Sequence, residues 1–335
     1  MLKNTIQGLR AGHWPSLLGA WLHFEVSFMV WLLIGALGVA ISSEFSLSAT
    51  QKGVLVAVPL LGGAILRIFV GPLADHIGAK PVGLYLCGLQ MVALLLGWHW
   101  GASYYSMLAV GLLLGCAGAS FAIALPIASE AYPPTHQGLA MGVAAVGNSG
   151  VLLATFFAPR LAQSFGWQNT FGVMIIPVFL IAIIFWLIVK PSVPKKDLLQ
   201  GSGISFVKNV VRQKFMYWLC FLYSLTFGGF VGLASYFPIF LHDQYRIDMI
   251  TAGTMTALCG LAGSLARPIG GHLADRLGGG ILLQAIFPML AVLGIGLSQL
   301  LELVRAFPMM VTTLLLLGFG NGVVFQVASL RFRSM

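Results

Sequence analysis

Charge is scarce in this chain. Asp, Glu, Lys and Arg make up 8% of its 335 residues, against roughly 25% in a soluble domain, so water is excluded as the solvent for most of its surface. Acids are scarcer than bases: nine Asp and Glu stand against 18 Lys and Arg, for a net charge of +9. A basic excess can mark nucleic-acid binding, but that requires clustering on an exposed face. Here the bases lie mostly between apolar stretches, which argues against a nucleic-acid partner. Cysteine is rare too. Cys87, Cys116, Cys220 and Cys259 fall singly inside apolar segments without CxxC spacing, so neither a disulfide framework nor a zinc site is indicated. They are expected to be small core residues. The sequence lacks a nucleophile and base pair, a metal-ligand cluster and a phosphate loop. An enzyme is therefore the weakest reading, and no metal or cofactor is expected. Lys3 and Arg10 are not followed by a short apolar stretch and a small-residue cleavage site, so no removable signal peptide is expected.

What the chain has in abundance is apolar residues, 59% of the total. A helix needs about 20 of them to cross the hydrocarbon. Ten such spans are expected, near 17–41, 53–72, 82–98, 104–129, 138–159, 170–189, 215–241, 250–271, 280–300 and 308–330. With a cytoplasmic N-terminus, the inside segments hold Lys3, Arg10, Lys80, Lys190, Lys195, Lys196, Lys208, Arg212, Lys214, Arg276, Arg331 and Arg333, and the outside ones Lys52, Arg160, Arg246 and Arg305. That asymmetry satisfies the positive-inside rule. The fold class expected is an all-α membrane protein of two helical bundles, in the inner membrane of a bacterium. Residues 1–190 form an N-terminal six-helix bundle, 191–214 a cytoplasmic linker rich in basic residues, and 215–335 a C-terminal bundle with four helices.

An internal repeat supports the division. LRIFVGPLADHIG at 66–78 and ARPIGGHLADRLG at 266–278 align at an offset of 200 residues, which superposes Arg67 on Arg267, Gly71 on Gly271, Asp75 on Asp275 and Gly78 on Gly278. The repeating unit is then six helices. On the same offset the second copy reaches only the equivalent of residue 135, so the chain reads as a fragment of a twelve-helix protein or a natural truncation.

Each arginine lies eight residues before the aspartate that marks the helix end, or about 12 Å into a core of roughly 30 Å. An arginine there costs about 2.5–3.5 kcal/mol even on lenient scales, so it faces protein or a wet cavity and needs a partner. Glu25 is the only acid well inside a span, and one carboxylate cannot neutralise two arginines. A positive site for an anion is expected. The guanidinium fork matches two oxygens of a planar oxyanion, which suits nitrate, nitrite or a carboxylate. The competing reading is structural, with each arginine snorkelling or tied to helix carbonyls and Glu25. Gly71 and Gly271 are expected to permit close helix approach, and Asp75 and Asp275 to cap a helix or bind a neighbouring helix end, as gating or structural elements. In span 5, Gly138, Gly142, Gly147 and Gly150 offer packing surfaces, with Asn148 among them. Tyr223 and Phe227 are one turn apart and can face one cavity. His23 and Glu25 are the candidates for a proton relay, though at i and i+2 they do not share a helix face.

GPLADHIGAK and GGHLADRLGG resemble the hallmark loops of the major facilitator superfamily. AVGNSG in span 5, FGNG at 319–322 and the two arginines resemble the nitrate/nitrite porter family within it. What that resemblance implies is a secondary transporter working by alternating access, in exchange or with protons. It also implies an anion clasped by Arg67 and Arg267, an adjoining Asn148, and a cavity lined by Phe28, Phe121, Tyr223 and Phe227. The family's second glycine signature, expected in an eleventh helix, is not found. A porter of another small anion, or a transport-inactive anion-binding membrane protein, remains the alternative. A lipid bilayer, a small anion and no further subunit are the expected partners.

Overall fold

The computed structural model describes residues 11–191 and 212–332. Lys3, Arg10, Lys195, Lys196, Lys208, Arg333 and most of the expected 191–214 linker lie outside the described residues. The chain divides into two compact units, residues 1–203 and 204–335. All regular structure among the described residues is helical.

Unit 1 holds α2 (Ala49–Ile77), α3 (Ala79–Trp100), α4 (Tyr104–Glu130), α5 (Gln137–Phe165) and α6 (Trp167–Ile188), each long and apolar enough to cross a membrane. Unit 2 holds four more: α7 (Lys214–Tyr245), α8 (Met249–Leu277), α9 (Gly279–Ser298) and α10 (Leu303–Phe332). The first expected span, 17–41, differs from the other nine. It forms α1 in three pieces, Trp14–Trp31, Leu33–Ala36 and Gly38–Glu44, parted at Leu32 and Leu37, where ψ is near 0°. Helical bonding carries on through both breaks, from Leu32 N–H to Phe28 O (3.2 Å) and from Ile41 N–H to Leu37 O (3.0 Å).

The 200-residue repeat is realised in backbone. α2 and α8 are both 29 residues long and begin and end at matching positions. Each starts at a side-chain cap. Ser48 and Gln51 form a reciprocal box, while the Asp248 carboxylate accepts from the N–H groups of Ile250 and Thr251, both at 3.0 Å. Each ends on a glycine with positive φ, 98° at Gly78 and 86° at Gly278, whose N–H bonds the Ala74 or Ala274 carbonyl. Only glycine takes that φ without strain, which accounts for the last residue of the repeated loop.

Glycines also set the helix spacing. In unit 1 a Cβ on Gly115 would stand 2.5 Å from the Gly62 backbone, so α2 and α4 meet backbone to backbone. In unit 2 a Cβ on Gly318 would run into the Gly263 carbonyl, and one on Gly270 into the Phe319 carbonyl. The close approach expected at the two loop glycines needs correction. Nothing lies within 4 Å of a Cβ built on Gly71, and at Gly271 the nearest atom is the Gly322 carbonyl at 3.6 Å, an ordinary contact. Asp75 and Asp275 are exposed in the last turns of α2 and α8, where they are placed to meet a neighbouring helix end rather than to cap their own helix. Gly138 and Gly142 likewise meet nothing within 4 Å. Cys87, Cys116 and Cys259 are buried as expected, but Cys220 is exposed.

Candidate functional site

In unit 1 the site is built around Trp31 at the end of the first piece of α1. Its indole N–H donates to Pro59 O on α2 at 2.8 Å. Its ring fills a slot between two glycines, since a Cβ on Gly63 would come within 2.7 Å of the ring and one on Gly118 would run into it. Gly63 and Gly118 are the counterparts of Gly263 and Gly318 at the repeat offset. The slot serves Arg67, past the middle of α2. Its guanidinium carbon lies 5.8 Å from the Trp31 ring and 5.4 Å from the Phe121 ring, and Nη2 donates to Gly118 O at 2.7 Å. Both rings are within cation–π range, worth up to about 2 kcal/mol when desolvated. A helix carbonyl thus ties one corner of the guanidinium, as the structural reading anticipated, while two aromatic rings lie beside it.

Phe28, expected to line a cavity, is fully buried and packs edge-on against Phe24 and Trp31, both at 5.6 Å. It buttresses Trp31. The AVGNSG stretch of α5 narrows to a 3-10 turn over Val146–Ser149 and lies on α1 through its glycines. A Cβ on Gly147 would stand 2.7 Å from the Phe24 ring, and one on Gly150 would run into the Glu25 carbonyl. Asn148 is buried, and with its amide oriented to satisfy its surroundings the nitrogen donates to Ala145 O (2.9 Å) and Val146 O (3.3 Å). In that orientation the amide nitrogen faces carbonyls of its own helix. Glu25 is also buried and accepts a 2.7 Å bond from the Ser149 hydroxyl. His23 points elsewhere, its Nε2 3.1 Å from Gly83 O and its ring 4.8 Å from Phe185. The two are held by different helices, as their spacing required.

Unit 2 presents the other arginine. Arg267 on α8 is buried, with its guanidinium carbon 5.2 Å from the Phe325 ring and 6.0 Å from the Phe227 ring. Phe227 lies in a π-helical turn of α7, Ser224–Gly228, a distortion frequent at functional sites. Tyr223 stacks on Phe227 at 5.1 Å and meets Phe325 edge-on at 5.5 Å, so the three rings and the guanidinium form one cluster. Of the expected residues, Arg67 and Phe121 come together in unit 1, and Arg267, Tyr223 and Phe227 in unit 2. Trp31 and Phe325 were missed. Trp31 was signalled by its i+3 spacing from Phe28, and Phe325 by standing one turn beyond FGNG.

The sequence profile of the Major Facilitator Superfamily matches residues 20–331. The chain belongs to the major facilitator superfamily. It is a multi-pass membrane protein of that class. Curated relatives include the probable nitrate/nitrite transporter NarK2 of Mycobacterium tuberculosis, 32% identical over 78% of this chain, and the nitrite extrusion protein of Bacillus subtilis, 31% identical over 93%. The alignments span 66% of the first protein's length and 78% of the second's. By those identities the chain falls in the nitrate/nitrite porter branch of the superfamily. Among solved structures, the xylose transporter XylE from E. coli matches with a TM-score of 0.72 at 14% identity, covering 94% of this chain and 86% of that one. A bacterial homologue of the human lysosomal transporter Spinster matches at 0.66 and 21%, covering 93% and 73%. At such identities these two speak for the major facilitator fold alone.

Proposed function

We propose that this chain is the body of a secondary transporter of nitrate and nitrite, in which Arg67 and Arg267 engage the anion and helical bundles rock to give alternating access. The observation that carries the reading is the repetition itself. In each unit the arginine at the repeat position is set between two aromatic rings, Trp31 and Phe121 in one, Phe227 and Phe325 in the other. A structural tie would not need to be built twice from different rings. A planar oxyanion suits a guanidinium, because two N–H groups meet two oxygens in one plane. The printed names of the relatives, nitrate/nitrite transporter and nitrite extrusion protein, support those two anions over a carboxylate.

The orientation belongs to the same proposal: N-terminus and 191–214 connection on the cytoplasmic side, as the basic residues favour. A reporter fused at residue 200 is expected inside and one at Asp243 outside; the reverse would overturn the orientation. Glu25, bonded to Ser149 in the AVGNSG turn, is the candidate for proton coupling. Competition for nitrate binding by nitrite, chloride, formate and oxalate tests the substrate. Nitrate and nitrite should compete best, and tighter binding of oxalate or formate would transfer the reading to a carboxylate porter.

A further inference from the structure

The repeat offset also pairs residues that differ. Phe121, whose ring lies 5.4 Å from the Arg67 guanidinium carbon, falls on Asn321. Unit 2 therefore has an amide at the register where unit 1 has a ring. Asn321 is 2% exposed, and neither Nδ2 nor Oδ1 has a hydrogen-bond partner among the described residues. Burying both ends of an amide unsatisfied is costly, so the working protein must supply what the unit itself does not.

The surroundings say what kind of partner it is. Asn321 precedes Phe325 by four residues on α10, so the two side chains share a helix face, and the Phe325 ring is 5.2 Å from the Arg267 guanidinium carbon. The next residue, Gly322, lies against α8 so closely that a Cβ would run into the Arg267 carbonyl. On the other side, a Cβ on Gly320 would stand 3.0 Å from the Thr226 methyl, one residue before Phe227 in the π-helical turn. The amide is thus fixed among the elements that carry Arg267, Phe227 and Phe325. We propose that Asn321 is an additional anion-recognition residue, whose Nδ2 donates to an oxygen of the oxyanion held at Arg267. The inference rests on the anion site proposed above. It assigns unit 2 a directional, neutral donor that unit 1 lacks at this register.

The test is nitrate binding by the purified 335-residue chain, followed by titration calorimetry, with thermal unfolding of each variant. Asn321→Leu keeps the branched shape and removes both polar ends. It should unfold no earlier than wild type, because a buried orphan is gone, yet bind nitrate about 3- to 10-fold more weakly for the lost hydrogen bond. If leucine does not fold, Asn321→Ala, which cannot overpack, carries the same expectation. Chloride, which has no oxygens to orient, should lose less affinity than nitrate. Nitrate affinity within twofold of wild type in a folded variant would overturn the inference, leaving Asn321 the partner of an ordered water. Arg267→Lys separates the two failures. If it binds nitrate normally, the anion site itself falls, and if it loses nitrate while Asn321→Leu keeps it, only the role of Asn321 falls.

Discussion

Unit 1 and unit 2 hold the same residue by different means. Arg67 is tied to the Gly118 carbonyl at 2.7 Å and flanked by Trp31 and Phe121, which come from α1 and α4. Arg267 is flanked by Phe227 and Phe325, from α7 and α10, with Tyr223 stacked behind and Asn321 one turn away. The shared part is the α2 and α8 scaffold, with its matching caps, ends and glycines. The part that differs is what the partner helices lay on it. Repetition has kept the cation at one position along its helix, while the surroundings differ, a mostly apolar slot in one unit and a cluster with a phenol and an amide in the other.

The largest effect should come from the glycine contacts, and it should be unequal. A Cβ on Gly318 would strike the Gly263 backbone, which cannot move aside, whereas one on Gly118 would strike the Trp31 ring. Overpacking of this kind costs about 1–3 kcal/mol or more. Gly318→Ala is expected to lower the yield of folded, monodisperse protein on size-exclusion chromatography more than Gly118→Ala. Equal yields would mean that the helix pairs are not held as described. Next comes Trp31→Phe, which deletes the bond to Pro59 O and leaves Arg67 one poorer face. It should reduce stability by about 1–2 kcal/mol, seen as an earlier thermal transition, while the matching change Phe325→Leu should cost less because no hydrogen bond goes with it.

The smallest effect distinguishes the caps. Hydrogen bonds from the Thr251 hydroxyl and amide hold the Asp248 carboxyl below its ordinary value. Its contribution is present above the unfolded-state pKa near 4 and is lost as pH falls through the lower folded value. Ser48 does not titrate. Amide exchange in the first turn of α8 should therefore accelerate, relative to its intrinsic rate, as pH falls below about 4, while the first turn of α2 shows no such change. A parallel response of both turns would contradict the assignment.

Much of the architecture is legible in the residues alone. Nine spans fall within a few residues of the helices, because apolar length is a strong constraint in lipid, and the repeat locates both arginines and both glycine ends. The break in α1 is not legible, since Leu32 and Leu37 carry no turn chemistry. Neither is the rotation of each helix, which decides what an arginine touches. Hence Phe28 is expected in a cavity but is a buttress, and Gly71 is expected at a contact that its face of α2 does not make. Asn148 shows a further limit. Motif resemblance identifies the residue, yet the 3-10 turn around it directs its amide to the carbonyls of Ala145 and Val146, a matter of local backbone that residue types alone do not reveal. Gly63 and Gly118, by contrast, could have been found by carrying the offset beyond the loops to Gly263 and Gly318.

The central claim is that both arginines take part in oxyanion binding through the shape of their donors and not through charge alone. Nitrate titration of wild type, Arg67→Lys, Arg267→Lys and the double variant tests it most directly, since lysine keeps the charge and loses the planar fork. The account predicts a loss of nitrate affinity of about 100-fold in each single variant, from charged hydrogen bonds worth roughly 1.5–3 kcal/mol. It also predicts a double variant little worse than either, with chloride far less affected. Wild-type affinity in either lysine variant would contradict it.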